Sequence, residues 1–242
     1  MKIGKLKIDD IRWLELLSFI EESINKNMKN IVGYLNVHVW NMAQDNNELT
    51  EAINSFNKVY CDGYGIMLGA KLLGISITER YTGAFFIYPF MKIANEKKWK
   101  IYILGNNPGV AEIAVNKLKK LYPDIQFVGY HHGFITGEEN TVVKLINQAN
   151  PDILFVGMGT PNQELFVKKY GDKIDANIIW VVGALFDYVA GVQKTAPEWM
   201  SENGLEWFHR LVSDPKRLWK RYLIGNTKFL TKVIYMGIRR KL

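Results

Sequence analysis

Asp62 follows the short apolar run Val59-Tyr60-Cys61 and precedes Gly63 and Gly65. A carboxylate flanked by residues without side chains can take a proton from a ligand that comes close to the backbone. Asp-Gly is equally a common turn dipeptide, so the pair alone reads either way. Asp187, in Gly183-Ala184-Leu185-Phe186-Asp187-Tyr188, is the second acid placed just beyond an apolar run. The turn Gly105-Asn106-Asn107-Pro108-Gly109 follows a third such run. If it opens a helix, its free N–H groups and the positive helix end face any phosphate set there. It lacks the G-x-G-x-x-G spacing of a dinucleotide site, which disfavours a nicotinamide-dependent redox enzyme. Gly159-Thr160-Pro161-Asn162-Gln163-Glu164 occupies the same kind of position. Pro161 suits a first helical turn and Thr160 suits its cap, while Gln163 can offer a donor and an acceptor to a sugar hydroxyl or base edge. Asn36 is a further polar residue at the end of an apolar run. No Asp-x-Asp pair has hard-cation spacing, so no magnesium, manganese or other cofactor is expected. The single Cys61 and four histidines without ligand spacing exclude an internal disulfide and a structural zinc cluster.

These residues need a frame that brings them to one edge, and the periodicity supplies one. Helical spacing is expected over residues 10–25, 47–57, 66–73, 110–121, 138–149 and 161–170. Strands are expected over 31–38, 58–61, 99–104, 125–130, 152–158 and 177–182. Such alternation implies an α/β fold with a mainly parallel, Rossmann-like sheet covered by helices. In an open parallel sheet ligands bind beyond the carboxyl ends of the strands, where Asn36, Asp62, Gly105, Gly159 and Asp187 all fall.

Beyond Gly191 the alternation stops, and residues 198–240 read as helices rich in Trp, Arg and Lys. The chain divides into a core, 1–193, and a basic helical appendage, 194–242. The appendage carries eleven Lys or Arg against four acids, which accounts for the whole net charge of +7. A basic, Trp-bearing segment on a neutral body points to an anionic partner: lipid, nucleic acid or a phosphorylated substrate. A solvated surface helix gives the same composition. Amphipathic basic helices with aromatic residues gain from lying at a lipid interface, about 1 kcal/mol per basic residue near anionic lipid. A nucleic-acid-binding module, with Trp and Tyr stacking on bases, is the alternative from a different class. With 242 residues and 48% apolar composition, disorder over the whole length is excluded. No apolar stretch approaches the roughly 20 residues that a bilayer crossing needs, and the first residues do not read as a signal peptide.

Several segments together resemble the WecG/TagA/CpsF family, glycosyltransferase family 26. They are Asp62-Gly63-x-Gly65, Glu79-Arg80-x-Thr82-Gly83, Gly159-x-Pro161-x-Gln163-Glu164 and Val182-Gly183-Ala184-x-Phe186-Asp187-Tyr188-x-Ala190-Gly191. The appendage adds Ala196-Pro197-x-Trp199, Gly204-Leu205-Glu206-Trp207-x-x-Arg210-Leu211, Pro215-x-Arg217 and Arg221-Tyr222. The resemblance implies an inverting, metal-independent transferase at the cytoplasmic face of the membrane. It would move a sugar, with N-acetylmannosamine first among the candidates, from a UDP-sugar to undecaprenyl-diphosphate-linked N-acetylglucosamine for teichoic acid, capsule or exopolysaccharide. Other branches of the family use UDP-N-acetylmannosaminuronic acid or other UDP-sugars, such as UDP-glucose.

By the same resemblance Asp62 is the base, and Asn36 and Gln163 orient sugar or nucleotide with Asp187 in support. Arg80, Arg210, Arg217 and Arg221 would meet the diphosphate charge if the appendage folds over the site. No nucleic acid is expected as partner, and self-association of the core into a homo-oligomer would compete with docking of the appendage. The chain departs from the family pattern at Tyr34, where Thr is usual, at Ala84-Phe85-Phe86, where an Asp is usual, and at Thr195, where an Arg is usual. These departures fall at expected ligand-facing turns and leave the donor sugar open.

Overall fold

The computed structural model describes residues 1–239. Arg240 and Lys241 of the basic appendage, and the side chains of Ala84 and Phe85 in the second departure, lie outside the described residues.

Six parallel strands form the central sheet: β3 (Asn30–Leu35), β4 (Lys58–Cys61), β5 (Lys100–Gly105), β6 (Gln126–His131), β7 (Ile153–Gly157) and β8 (Ile178–Val181). Their order is β4-β3-β8-β7-β5-β6, and a small antiparallel hairpin of β1 (Lys2–Ile3) and β2 (Leu6–Lys7) stands apart. The inner strands β7 and β8, ILFVG and IIWV, are buried at every residue, as a strand covered on both faces must be. All six strands run the same way, so Leu35, Cys61, Gly105, His131, Gly157 and Val181 end on one edge.

Helices cover both faces. On one lie α1 (Trp13–Asn25), α5 (Gly83–Lys97), α6 (Val110–Leu121) and α9 (Leu185–Ala190), whose Leu16, Phe90, Val115 and Phe186 pack with Trp180 and Phe155 of the sheet. On the other lie α2 (Val37–Gln44), α3 (Asn47–Ser55), α4 (Tyr64–Leu72), α7 (Glu139–Ala149) and α8 (Asn162–Tyr170). The appendage follows as α10 (Glu198–Glu202), α11 (Glu206–Ser213), α12 (Pro215–Trp219), a π-helical turn over Lys220–Ile224, and α13 (Gly225–Arg239).

Two expectations are corrected. The strand foreseen over 31–38 stops at Leu35, because the Asn36 side chain accepts a hydrogen bond from Val39 N at 3.0 Å and so starts α2. Thr160 does not cap the helix that follows it: its hydroxyl donates to Glu164 Oε1 at 2.9 Å, Pro161 occupies the cap position, and α8 begins at Asn162.

The appendage is part of the packed body. Phe229 and Val233 of α13 are buried in the same cluster as Trp40 of α2 and Ala70 of α4. The rings of Trp40 and Phe229 meet edge to face with centroids 4.9 Å apart. Gly69 makes room for this contact, since a Cβ there would stand 2.4 Å from the Phe229 ring. Asn41 Nδ2 donates to Gly225 O at 2.8 Å and fixes the start of the helix.

Candidate active site

Asp62 is the first residue past β4, and its N–H donates to Leu35 O of the neighbouring strand at 3.0 Å. Gly63 then takes φ +92°, a conformation side-chain-bearing residues rarely adopt, and the chain turns into α4. Asn36 sits directly across, past β3. Its Oδ1 is committed to the cap of α2, which leaves Nδ2 to donate to Asp62 Oδ2 at 2.9 Å. No other hydrogen bond reaches the Asp62 carboxylate among the described residues, so Oδ1 is available to a ligand. Burial holds the Asp62 carboxyl above the ordinary carboxylate pKa, against the Asn36 hydrogen bond and the charges of Arg210, Arg221 and Arg80.

Asp62 opens into a cavity of about 430 Å³ whose far wall is the appendage: Trp207 and Arg210 from α11, Arg221 and Tyr222 from the π-helical turn, Phe229 from α13. Arg210 lies over the Tyr188 ring, its Cζ 5.0 Å from the centroid. Arg221 lies over Tyr222 at 5.5 Å, and its Nε is buried without a hydrogen-bond partner. Arg80 Nη1 is 3.7 Å from Glu206 Oε1, and Arg80 Nη2 donates to Ser201 O. Three cations, one from the core and two from the appendage, thus converge near one acid. His38, in the first turn of α2, lines the same cavity; burial and the nearby Arg221 charge push its imidazole down to about 4, so it is neutral at neutral pH. The sequence gives no sign of His38 at the site, since residues 31–38 read there as one strand.

A second cleft, about 660 Å³, lies past the ends of β5, β7 and β8 and is lined by Asn106, Gly157, Gly183 and Asp187, with Phe134 at its rim. Gly105 and Gly157 pack backbone to backbone: a Cβ on Gly105 would lie 2.4 Å from Gly157 O. Asn106 N donates to Gly157 O at 2.9 Å, while Asn106 Oδ1 is buried with no hydrogen-bond partner. Burial raises the Asp187 pKa, and the Asn106 amide and the Arg217 charge act in the opposite sense. Arg217 is largely exposed and its Nε bonds Asp214 Oδ2 at 2.6 Å, so it stands apart from the other three arginines.

Gln163 is fully buried and is not among the residues lining either cavity, unlike the ligand-facing residue expected from sequence. Its Nε2 donates to Tyr34 Oη at 3.1 Å and to Glu164 Oε1 at 2.8 Å, and its Oε1 accepts from Gly183 N at 3.1 Å. Through these bonds Gln163 ties Tyr34 to the Gly183 turn. Gly159, at φ +77°, shapes the turn before it and accepts from Gln163 N at 3.0 Å. The departure at Tyr34 is matched locally, since Tyr34 Oη is 2.6 Å from where a Cβ on Gly183 would be. Thr195 lines a further cavity together with Tyr188 and Arg210.

Comparison with known proteins gives one consistent result. The profile described as the Glycosyl transferase WecG/TagA/CpsF family matches residues 1–242. The N-acetylglucosaminyldiphosphoundecaprenol N-acetyl-beta-D-mannosaminyltransferase of Bacillus subtilis (strain 168) is 31% identical over 212 residues, covering 86% of this chain and 82% of the relative. The protein of the same name from Staphylococcus aureus (strain MW2) is 32% identical over 206 residues, 85% of this chain and 78% of the relative.

Proposed function

The chain belongs to the WecG/TagA/CpsF family of glycosyl transferases, and from that premise we propose that it transfers N-acetylmannosamine from its UDP-sugar to a polyprenyl-diphosphate-linked N-acetylglucosamine, with Asp62 as the general base. The observation that carries the reading is the Asp62 carboxylate, steadied on one oxygen by Asn36 and open on the other to a cavity that three arginines approach. The transferred sugar and the acceptor are those in the names of the relatives, and UDP as the carrier is part of this proposal. Asp62 Oδ1 takes the proton of the acceptor hydroxyl. The freed oxygen attacks the anomeric carbon from the face opposite UDP, the bond from that carbon to the UDP oxygen breaks, and the configuration inverts. Charge then grows on the departing diphosphate. Planar guanidinium groups suit its oxygens, and Arg210, Arg221 and Arg80 supply them, so the reaction proceeds without a metal. The nucleotide occupies the cleft at Asn106 and Asp187.

The test is UDP release by the purified chain with a panel of UDP-sugars and a short-chain lipid-diphosphate N-acetylglucosamine, in detergent with chelator. Turnover with UDP-N-acetylmannosamine supports the reading; turnover only with another donor corrects the sugar, and silence across the panel overturns the reading. The pH profile carries a sharper check. Asn36→Asp keeps an oxygen to cap α2 but replaces the donor to Asp62 by a second acid. The Asp62 pKa then rises, so the acid limb of kcat/KM moves upward by about one pH unit or more. A limb that stays in place would remove Asp62 as the titrating base.

We also infer a peripheral position on the inner face of the cell membrane. No helix among the described residues is long and apolar enough to cross a membrane. The appendage nevertheless exposes Trp199, Val212, Leu223, Ile224 and Ile238, each more than half accessible, among Lys216, Lys220 and Lys232. Apolar side chains set among cations gain from both the acyl boundary and anionic headgroups. Vesicles with anionic lipid should bind the protein, and salt should weaken binding. Equal binding to neutral vesicles would show that charge plays no part, and a salt-sensitive shift with oligonucleotide alone would favour nucleic acid instead.

A further inference from the structure

Glu206 lines more than one cavity around the site and has no role in the chemistry above. It opens α11 and lines three cavities: the one holding Asp62, the groove beside Arg80, and the one at Thr195. Its carboxylate and the Arg80 guanidinium are each only 18% exposed, and they are 3.7 Å apart. That separation makes an ion pair and not a hydrogen bond, and Glu206 Oε1 is buried with no hydrogen-bond partner. The Thr82 side chain adds a smaller stabilisation of the carboxylate. Arg80 and Thr82 belong to the core segment before α5, whereas Glu206 belongs to the appendage. The second hand of Arg80 also reaches across the seam, to Ser201 O of α10. Between these two grips Gly204, at φ +72°, lies flat on Tyr64, and a Cβ there would stand 2.7 Å from the ring.

A buried carboxylate with an unpartnered oxygen costs folding free energy, so its retention beside Arg80 needs a reason. The cation count supplies one. Arg80, Arg210 and Arg221 converge on Asp62, and without another negative charge their mutual repulsion would push the appendage outward. Glu206 faces Arg80 at the seam, on the helix that also carries Arg210; burial and the Asp62 charge raise its pKa, and the charges of Arg80 and Arg210 hold the carboxylate against them.

We propose that Glu206 is a positioning residue: by pairing with Arg80 across the seam, it makes docking of α10–α11 and assembly of the three-arginine site a single event. This rests on the transferase reading, and its test includes an arm that does not. Glu206→Gln keeps the shape and removes the charge; Glu206→Ala removes both; Glu206→Asp keeps the charge on a shorter arm. In the UDP-release assay Glu206→Gln should lower kcat roughly tenfold or more, with donor KM within about threefold, because misplacement of a transition-state cation falls on kcat. The second arm is brief trypsin treatment of the full chain, with cut sites located by mass spectrometry. Cleavage at Lys194, Arg80 and Arg210 should accelerate in Glu206→Gln and Glu206→Ala, and Glu206→Asp should recover part of both effects. The proposal is overturned if Glu206→Gln keeps kcat within about threefold of wild type. It is overturned equally if turnover falls while cleavage stays at the wild-type rate, since the loss would then not pass through docking. Should Glu206→Ala fail to fold, the near-isosteric Gln variant decides. Should the wild type release no UDP with any donor, the transferase reading fails on its own, and the cleavage arm still decides whether Glu206 holds the seam.

Discussion

Asp62→Asn is expected to lower turnover by about a thousandfold, within the range that a positioned general base contributes, while raising the melting temperature by about 2–4 °C, as ~1 kcal/mol does in a domain of this size. Both effects have one cause. Asn has almost the shape of Asp and can still accept from Asn36, so the cavity survives, but it cannot take a proton from the acceptor hydroxyl. Stability moves the other way because burial raises the folded pKa of Asp62 above its unfolded value. The stability linked to this group is fully present below the unfolded carboxyl pKa and is lost as the pH rises through the folded one. Asn carries no charge at any pH, so the melting-temperature gain should be largest near neutrality and vanish in acid. Calorimetry across pH, run beside the UDP-release assay, reads both. Turnover within tenfold of wild type would end the case for Asp62 as base; a neutral-pH melting temperature below wild type would mean that the arginines compensate its burial fully.

Phe229→Ala should cost about 3–5 kcal/mol, the range for truncating a buried Phe to Ala. The ring is 1% exposed, meets Trp40 edge to face, and fills the space left by Gly69. The loss falls first on α13, because the sheet beneath keeps its own layers. Amide exchange over residues 225–239 should accelerate by two orders of magnitude or more, about 1.4 kcal/mol per tenfold, while β7 and β8 keep their protection. Gly69→Ala approaches the same contact from the other side and should loosen the same helix. Uniform acceleration throughout the chain would instead mean that α13 and the sheet unfold as one unit. Unchanged exchange would mean that Phe229 does not hold the appendage.

The appendage shows where reading the sequence reaches its limit. Its charge, its Trp and Arg content and its start near residue 193 are one-dimensional properties, and they suffice to flag an anionic partner. They do not tell which arginines meet. Arg210 and Arg221 turn into the Asp62 cavity, and Arg217, only four residues before Arg221, pairs outward with Asp214. A π-helical turn over Lys220–Ile224 sets that phase, and no sequence period announces it. Helix α5 escaped notice for a related reason: its Phe-Phe-Ile-Tyr-Pro run mixes aromatic residues with Pro89 and shows no clean helical stripe.

Alternating apolar runs and polar turns determined the layered parallel sheet, because a strand covered on both faces must be apolar throughout and its end must turn. The same rule places Asn36, Asp62, Gly105, Gly159 and Asp187 past the strand ends on one edge. Tertiary structure alone decided what each of them touches. Asn36 gives one end of its amide to a helix cap and the other to Asp62, while Gln163 turns inward to hold Tyr34 and Gly183. Glu206 meets Arg80 across 126 positions of sequence. Strand formation depends on neighbours along the chain, whereas a hydrogen bond or an ion pair depends on neighbours in space, and those exist only once α11 and α13 have packed against the core.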